Sequence, residues 1–238
     1  MVHFVGAGSG AVDLITVRGA RLLGEADVVI YAGSLVNPEL LSYTREGCEI
    51  YDSAKMTLEQ VIGVIKEAEK DNKMTVRLHT GDSSIYGAVR EQFDELQKLG
   101  IAYDVCPGVS SFCGAAASLK TEYTLPDVSQ SVIITRAAGR TPVPERESIR
   151  SLAAHQSTMV LFLSTSLTKQ LQDELASANE QVQLYKTGME SHEAELEKMK
   201  KLYDEQLLEV QTAFREKNAE LQGQIDRFKT QLGSLLAD

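Results

Sequence analysis

Short apolar runs separated by amphipathic stretches fill the first 167 residues, and a stripe stepping by threes and fours fills the rest. Val2–Val5 is a compact run with β-branched residues. Val28–Tyr31, Met74–Leu78, Tyr103–Cys106, Val132–Thr135 and Thr158–Leu163 resemble it in length and composition, and each predicts a strand. Thr57–Asp71 sets Leu58, Val61, Ile62 and Ile65 on one helical face, with Thr57 as its N-cap. Ile85–Leu99 predicts a helix stopped by Gly100. Further helices are expected to open within Asp13–Ala20, over Phe112–Leu119, and around Glu145–His155. Strands alternating with helices predict an α/β fold with a mainly parallel sheet.

From Thr168 to Asp238 the pattern changes. Leu171, Leu175, Ala178, Val182, Tyr185 and Met189 begin a series of alternating steps of four and three. It continues through His192 and Tyr203 to Leu235, with two extra four-residue steps, at 203–207 and 221–225. Such stutters locally unwind a left-handed supercoil. The pattern predicts a long coiled-coil helix, about 105 Å if fully helical, that joins copies of the chain as a homo-oligomer. A single solvated helix or a partly disordered tail is the plainer alternative, since Tyr, His, Met and Ala are imperfect core residues. This stretch holds 9 Lys/Arg against 14 Asp/Glu, the wrong sign for a helix on anionic lipid. All five prolines and 14 of the 17 glycines precede it. The expected divisions are an N-terminal α/β domain over 1–106, a partial second α/β domain over 107–167, and the helix over 168–238.

Composition narrows the function. The net charge of −10 leaves no basic stripe for nucleic acid. No apolar run approaches the ~20 residues of a membrane span, and the N-terminus lacks the basic region of a signal peptide. Cys48, Cys106 and Cys113 have no metal-ligand spacing and read as reduced thiols of a cytoplasmic protein. No metal site is expected.

Three bends carry the candidate chemistry. Gly6, Gly8 and Gly10 follow the first strand, where glycines let backbone N–H groups approach a ligand. Gly6-x-Gly8-x-x-Ala11 fits the relaxed dinucleotide fingerprint. The second strand, however, ends Tyr31-Ala32-Gly33, without the acidic residue that would hold a ribose. The second bend is His79-Thr80-Gly81-Asp82-Ser83-Ser84-Ile85-Tyr86-Gly87, where Asp82 either accepts ligand hydrogen bonds or caps the next helix. The third is Pro107-Gly108-Val109-Ser110-Ser111-Phe112, two hydroxyls before a helix of very small residues.

Together these stretches resemble the tetrapyrrole (corrin and porphyrin) methylase family. Phe4–Gly10 with Asp13–Gly19 matches its first motif, Gly81-Asp82-x-Ser84-Ile85-Tyr86-Gly87 its second, and Pro107–Phe112 its third. Tyr31–Val36 and Thr135–Pro144 add to the match, which runs from Met1 to about Ser166. The resemblance implies a tetrapyrrole-methylase-like fold and an S-adenosylmethionine donor, folded into a cleft between two α/β domains. It implies donor contacts at Ser9, Gly81, Asp82, Ile85, Ser110, Ser111 and Leu163. It also implies a methyl transfer to a ring carbon of a tetrapyrrole, a corrin precursor. Such a transfer depends on positioning more than on acid–base help. Tyr31 and Tyr86 are candidates to flank the macrocycle. Arg136, Arg140 and Arg146 are candidates to bind its carboxylates in bidentate fashion. Ser83 stands where the family usually has proline. The loop Ala32-Gly33-Ser34 lacks the aspartate that the siroheme branch uses as a proton acceptor, so the catalytic base is unassigned. The heptad helix also stands where the family's second domain should continue. That sets up an alternative: a non-catalytic coiled-coil oligomerisation protein with a truncated methylase head.

Overall fold

The computed structural model describes residues 1–139 and 141–235. Contacts group the chain into two units, Met1–Val132 and Ile133–Asp238. The first is built on strands β1 (Val2–Gly6), β2 (Val28–Tyr31), β3 (Glu49–Asp52), β4 (Thr75–His79) and β5 (Tyr103–Cys106). They form one sheet in the order β3-β2-β4-β1-β5, and each pairing is parallel. Helices α1 (Val17–Glu25), α2 (Leu58–Lys70), α3 (Arg90–Lys98) and α4 (Ser111–Leu119) complete the unit.

The sheet is covered on both faces, and two of its interior strands, β1 and β2, are accordingly nearly continuous apolar runs. Val5, Val29, Val76 and Leu78 pack with Leu22 and Leu23 of α1 on one face. Phe4, Val28 and Ile30 pack with Val61, Ile62 and Ile65 of α2 and Leu96 of α3 on the other. Helix α2 starts where expected. Thr57 accepts the Gln60 amide, and the Gln60 side chain accepts the Thr57 amide, a reciprocal capping box.

Two boundaries differ from expectation. The helix expected from Ile85 begins only at Arg90. Tyr86 and Ala88 take left-handed φ values of 53° and 48°, which no helix tolerates, and Gly87 lies against the Ser83 backbone. Asp82, Ser83 and Ser84 therefore cap no helix. Around Glu145–His155 the chain forms a 3-10 turn at Glu145–Glu147, and α5 covers only Ile149–Ala153. Strand β3 escaped the pattern reading because it is a sheet edge with exposed Glu49 and Ile50.

The second unit pairs β6 (Val132–Arg136) with β7 (Thr158–Phe162). Its small core joins Ala137, Ile149 and Leu171, with Met159, Leu161, Leu167 and Leu175 against them. Ser164 is buried, donates to the Phe162 carbonyl at 2.7 Å and accepts the Ala137 amide at 3.0 Å. Helix α6 (Thr168–Leu235) is one continuous helix. Its first turns bury Leu171 and Ala178 within this unit, so the stripe starts as an intramolecular packing face. Beyond Val182 its large apolar residues are exposed as far as Ile225. Residues 236–238 of the expected coil lie outside the described residues. No helix of the described residues is long and apolar enough to cross a membrane.

Candidate active site

The parallel sheet brings the carboxyl ends of β1, β4 and β5 side by side, because β1 lies between the other two. The loops that leave them touch through backbone. The Ala7 amide donates to the His79 carbonyl at 2.7 Å. Gly8 and Gly81 exchange hydrogen bonds in both directions, at 3.3 and 3.1 Å. A Cβ on Gly6 would stand 2.6 Å from Gly108 Cα and from the Gly81 carbonyl oxygen. A Cβ on Gly114 would stand 2.6 Å from Ser9 Cβ, so the small-residue face of α4 is what admits the first loop. Ser9, Gly81, Asp82, Ser110 and Ser111 thus belong to one cluster of loops within the first unit.

Asp82 ties two of the loops together. One carboxylate oxygen accepts the Ser84 amide at 2.8 Å and the Ser84 hydroxyl, and the other accepts the Gly108 amide at 2.8 Å. Burial pushes the carboxyl's pKa upward. The hydrogen bonds from Ser84 and Gly108 outweigh that and hold it below the usual aspartate value. Asp82→Asn puts an amide donor where the Gly108 N–H needs an acceptor. Its urea unfolding free energy is expected to drop by about 1–3 kcal/mol, with the far-ultraviolet circular dichroism spectrum unchanged.

The cluster has the makings of a nucleoside cradle. Ser110 is only 7% exposed, yet its hydroxyl does not cap α4. The first amides of α4, including that of Ser111, lie beyond the reach of any intrahelical acceptor. Gly10, at φ 122°, has open space where a Cβ would be. The second oxygen of Asp82 takes one hydrogen bond and keeps a lone pair for another donor. Backbone donors, the Ser110 hydroxyl and a carboxylate suit the polar groups of S-adenosylmethionine. Among the described residues no group of three His, Cys, Asp or Glu side chains is placed to hold a metal ion.

The remaining candidates are placed as follows. Ile85 is half-buried in the loop after Asp82, and Tyr86 is 44% exposed at its left-handed position. Tyr31 ends β2, and its carbonyl accepts the Ser53 hydroxyl at 3.0 Å. In the second unit, Leu163 follows β7, exposed and at φ 53°. Arg136 donates to the carbonyls of Ala137, Thr141 and Pro142 at 3.1–3.3 Å, which among the described residues leaves its Nε–H and one Nη2–H for a carboxylate. Arg146 is solvated beside Glu147. Arg140 lies outside the described residues.

Sequence reasoning missed two groups. Asp52 sits where a side chain on residue 33 would be and accepts the Gly33 amide at 3.0 Å, fixing the loop after β2. His79 is 5% exposed, is stacked on Phe4 at 5.8 Å, and has no hydrogen-bond partner at Nε2 among the described residues. Its neighbour Arg77 is also buried, bonded to Gln92 and the Ile30 carbonyl. Burial first, then the Arg77 charge, push the His79 pKa down to about 3. Alternation along β4 hid both, since Thr75, Arg77 and His79 alternate with Val76 and Leu78 and read as the solvated face of a half-buried strand.

A parallel sheet whose strand-end loops close on a glycine-lined cradle is the architecture of a nucleoside-binding α/β protein. Residues 1–202 match the Tetrapyrrole (Corrin/Porphyrin) Methylases, and the chain belongs to that family. The match extends past Ser166 into α6, further than the sequence motifs reach. The cobalt-precorrin-4 C(11)-methyltransferase of Methanocaldococcus jannaschii is 57% identical over 174 residues, 73% of this chain and 67% of that protein. The X-ray structure of a cobalt precorrin-4 methyltransferase, a cobalamin biosynthetic enzyme, is 46% identical. It superposes with a TM-score of 0.73 over 75% of this chain and 74% of that one. A uroporphyrin-III C-methyl transferase from Thermus thermophilus, solved with S-adenyl homocysteine, is 25% identical with a TM-score of 0.59, over 74% of this chain and 72% of that one. These similarities give the reading as a non-catalytic oligomerisation protein no support.

Proposed function

We propose that this chain is an S-adenosylmethionine-dependent C-methyltransferase acting on ring carbon 11 of cobalt-precorrin-4 or precorrin-4, in cobalamin biosynthesis. The observation that carries this reading is the backbone contact among Gly6, Gly81 and Gly108, which holds three strand-end loops at one point. The names of the relatives supply the substrate class. Bound in the cradle, S-adenosylmethionine supplies an electrophilic methyl group on a cationic sulfur. That group would pass to a nucleophilic ring carbon, the C–C bond forming as the C–S bond breaks, with S-adenosylhomocysteine as the leaving group and the displaced proton passing to solvent.

The chain's own residues position the reactants. Ser9, Gly81, Ile85, Ser110 and Ser111 hold the donor by backbone and hydroxyl contacts, and Asp82 accepts from its polar hydrogens. Tyr31 and Tyr86 flank the macrocycle, and Arg136 and Arg140 bind its carboxylates. We place the reaction in the cytoplasm, in keeping with Cys48, Cys106 and Cys113, all free thiols. The exposed stripe of α6 joins copies of the chain as a homo-oligomer, because a long helix gains most of its stability from packing.

Calorimetric titration of the full chain with S-adenosylhomocysteine tests the donor site. The reading requires saturable binding that Gly108→Ala weakens strongly. Radiolabelled methyl transfer to cobalt-precorrin-4 or precorrin-4 then tests the reaction. An absence of binding by a folded chain refutes both.

A further inference from the structure

The exposed stripe of α6 reads the same in both directions from Tyr203. Moving toward the N-terminus, its members are Met199, Leu196, His192, Met189 and Tyr185, at steps of 4, 3, 4, 3 and 4. Moving toward the C-terminus, they are Leu207, Val210, Phe214, Lys217 and Leu221, again at steps of 4, 3, 4, 3 and 4. The stutter at 203–207 creates this mirror symmetry, because an unbroken heptad repeat would give 3 on one side and 4 on the other. Tyr203 is 69% exposed, and the apolar members on both sides are 46–77% exposed.

A two-fold interface must be self-complementary: if residue i meets residue j, then j meets i. An axis through Tyr203 across the helix satisfies this only for antiparallel helices. Met199 then faces Leu207 of the second copy, Leu196 faces Val210, and Tyr185 faces Leu221. The two polar members are also accommodated. His192 faces the ring of Phe214. Lys217 faces Met189, along which its aliphatic stem can lie while the ammonium reaches water. A parallel in-register pair would instead stack Lys217 on Lys217 and His192 on His192, like charges or polar groups in the seam. Beside the axis, Lys200 falls next to Asp204 of the second copy. The overlap from Tyr185 to Leu221 is about 55 Å long. At four seam and flanking positions per heptad it engages about 21 residues per copy, within the range of a standard stable interface.

We propose that α6 pairs with the α6 of a second copy in antiparallel orientation, with the two-fold axis at Tyr203. This deepens the self-association reading above and rests on it. Thr187 and Ala219 lie 16 residues on either side of Tyr203, off the stripe and exposed. The test uses the full chain with Cys48→Ser and Cys113→Ser, spin-labelled at Thr187→Cys, at Ala219→Cys, or as a mixture of the two. Light scattering first gives the mass. A dimer with a 187-to-187 distance of about 48 Å, and a separation of roughly 20 Å or less between 187 and 219 in the mixture, is the expected result. A dimer with 187-to-187 at roughly 20 Å or less overturns the orientation but leaves self-association standing. A monomer whose circular dichroism keeps α6 helical overturns both.

Discussion

Replacing Gly108 by alanine is expected to weaken S-adenosylhomocysteine binding by roughly 100-fold, equivalent to about 3 kcal/mol of lost loop contact, and to destabilise the fold by about 3 kcal/mol. The added Cβ would overlap the Gly81 carbonyl oxygen and stand 2.7 Å from Gly6 Cα. All of those atoms are backbone, so no side chain can swing aside. The loops after β1, β4 and β5 must separate, and the Asp82–Gly108 hydrogen bond opens with them. Gly63→Ala is the control. It sits within α2 with nothing within 4 Å of its Cβ, and alanine there is expected to stabilise by up to about 1 kcal/mol through helix propensity. Calorimetry and urea unfolding on the two variants separate a crowding effect from a general intolerance of substitution.

Acid sensitivity is the second large effect. His79 stays neutral in the folded chain down to about pH 3, because burial and the Arg77 charge oppose its protonation. In the unfolded chain it takes a proton near pH 6.5. As pH falls below 6.5 the unfolded state therefore binds a proton that the folded state refuses, and the folded state loses ground. The loss approaches about 1.4 kcal/mol per pH unit and levels off only near pH 3, where folded His79 also protonates. Asp82, its folded pKa depressed, adds a further loss as pH falls below its unfolded value, in a lower window. Urea midpoints measured between pH 7 and 4.5 should fall steadily in the wild type and much less in His79→Gln. An equal slope in both would remove His79 as the cause.

The sheet itself was legible in the chain. Val2–Gly6 and Val28–Tyr31 are apolar runs that only a sheet covered on both faces can bury, and Thr57 with Gln60 announces the start of α2. The loop after β4 was not legible. Its residues favour a helix from Ile85 onward, and only contact with the neighbouring loops holds Tyr86 and Ala88 in left-handed conformations. Asp52 was equally hidden, since a carboxylate filling the place of a missing side chain on Gly33 joins residues 19 positions apart.

By itself the sequence determined the periodicities: strands, helices, three glycine-bearing bends, and a stripe symmetric about Tyr203. Those depend on each residue and its near neighbours along the chain. Only the tertiary structure decided that β1 lies between β4 and β5, which brings Gly6, Gly81 and Gly108 within contact. It likewise decided that Leu171 and Ala178 are covered inside the chain while the stripe beyond Val182 is left exposed. Proximity between residues a hundred positions apart is a property of strand order and packing, which local preferences do not encode.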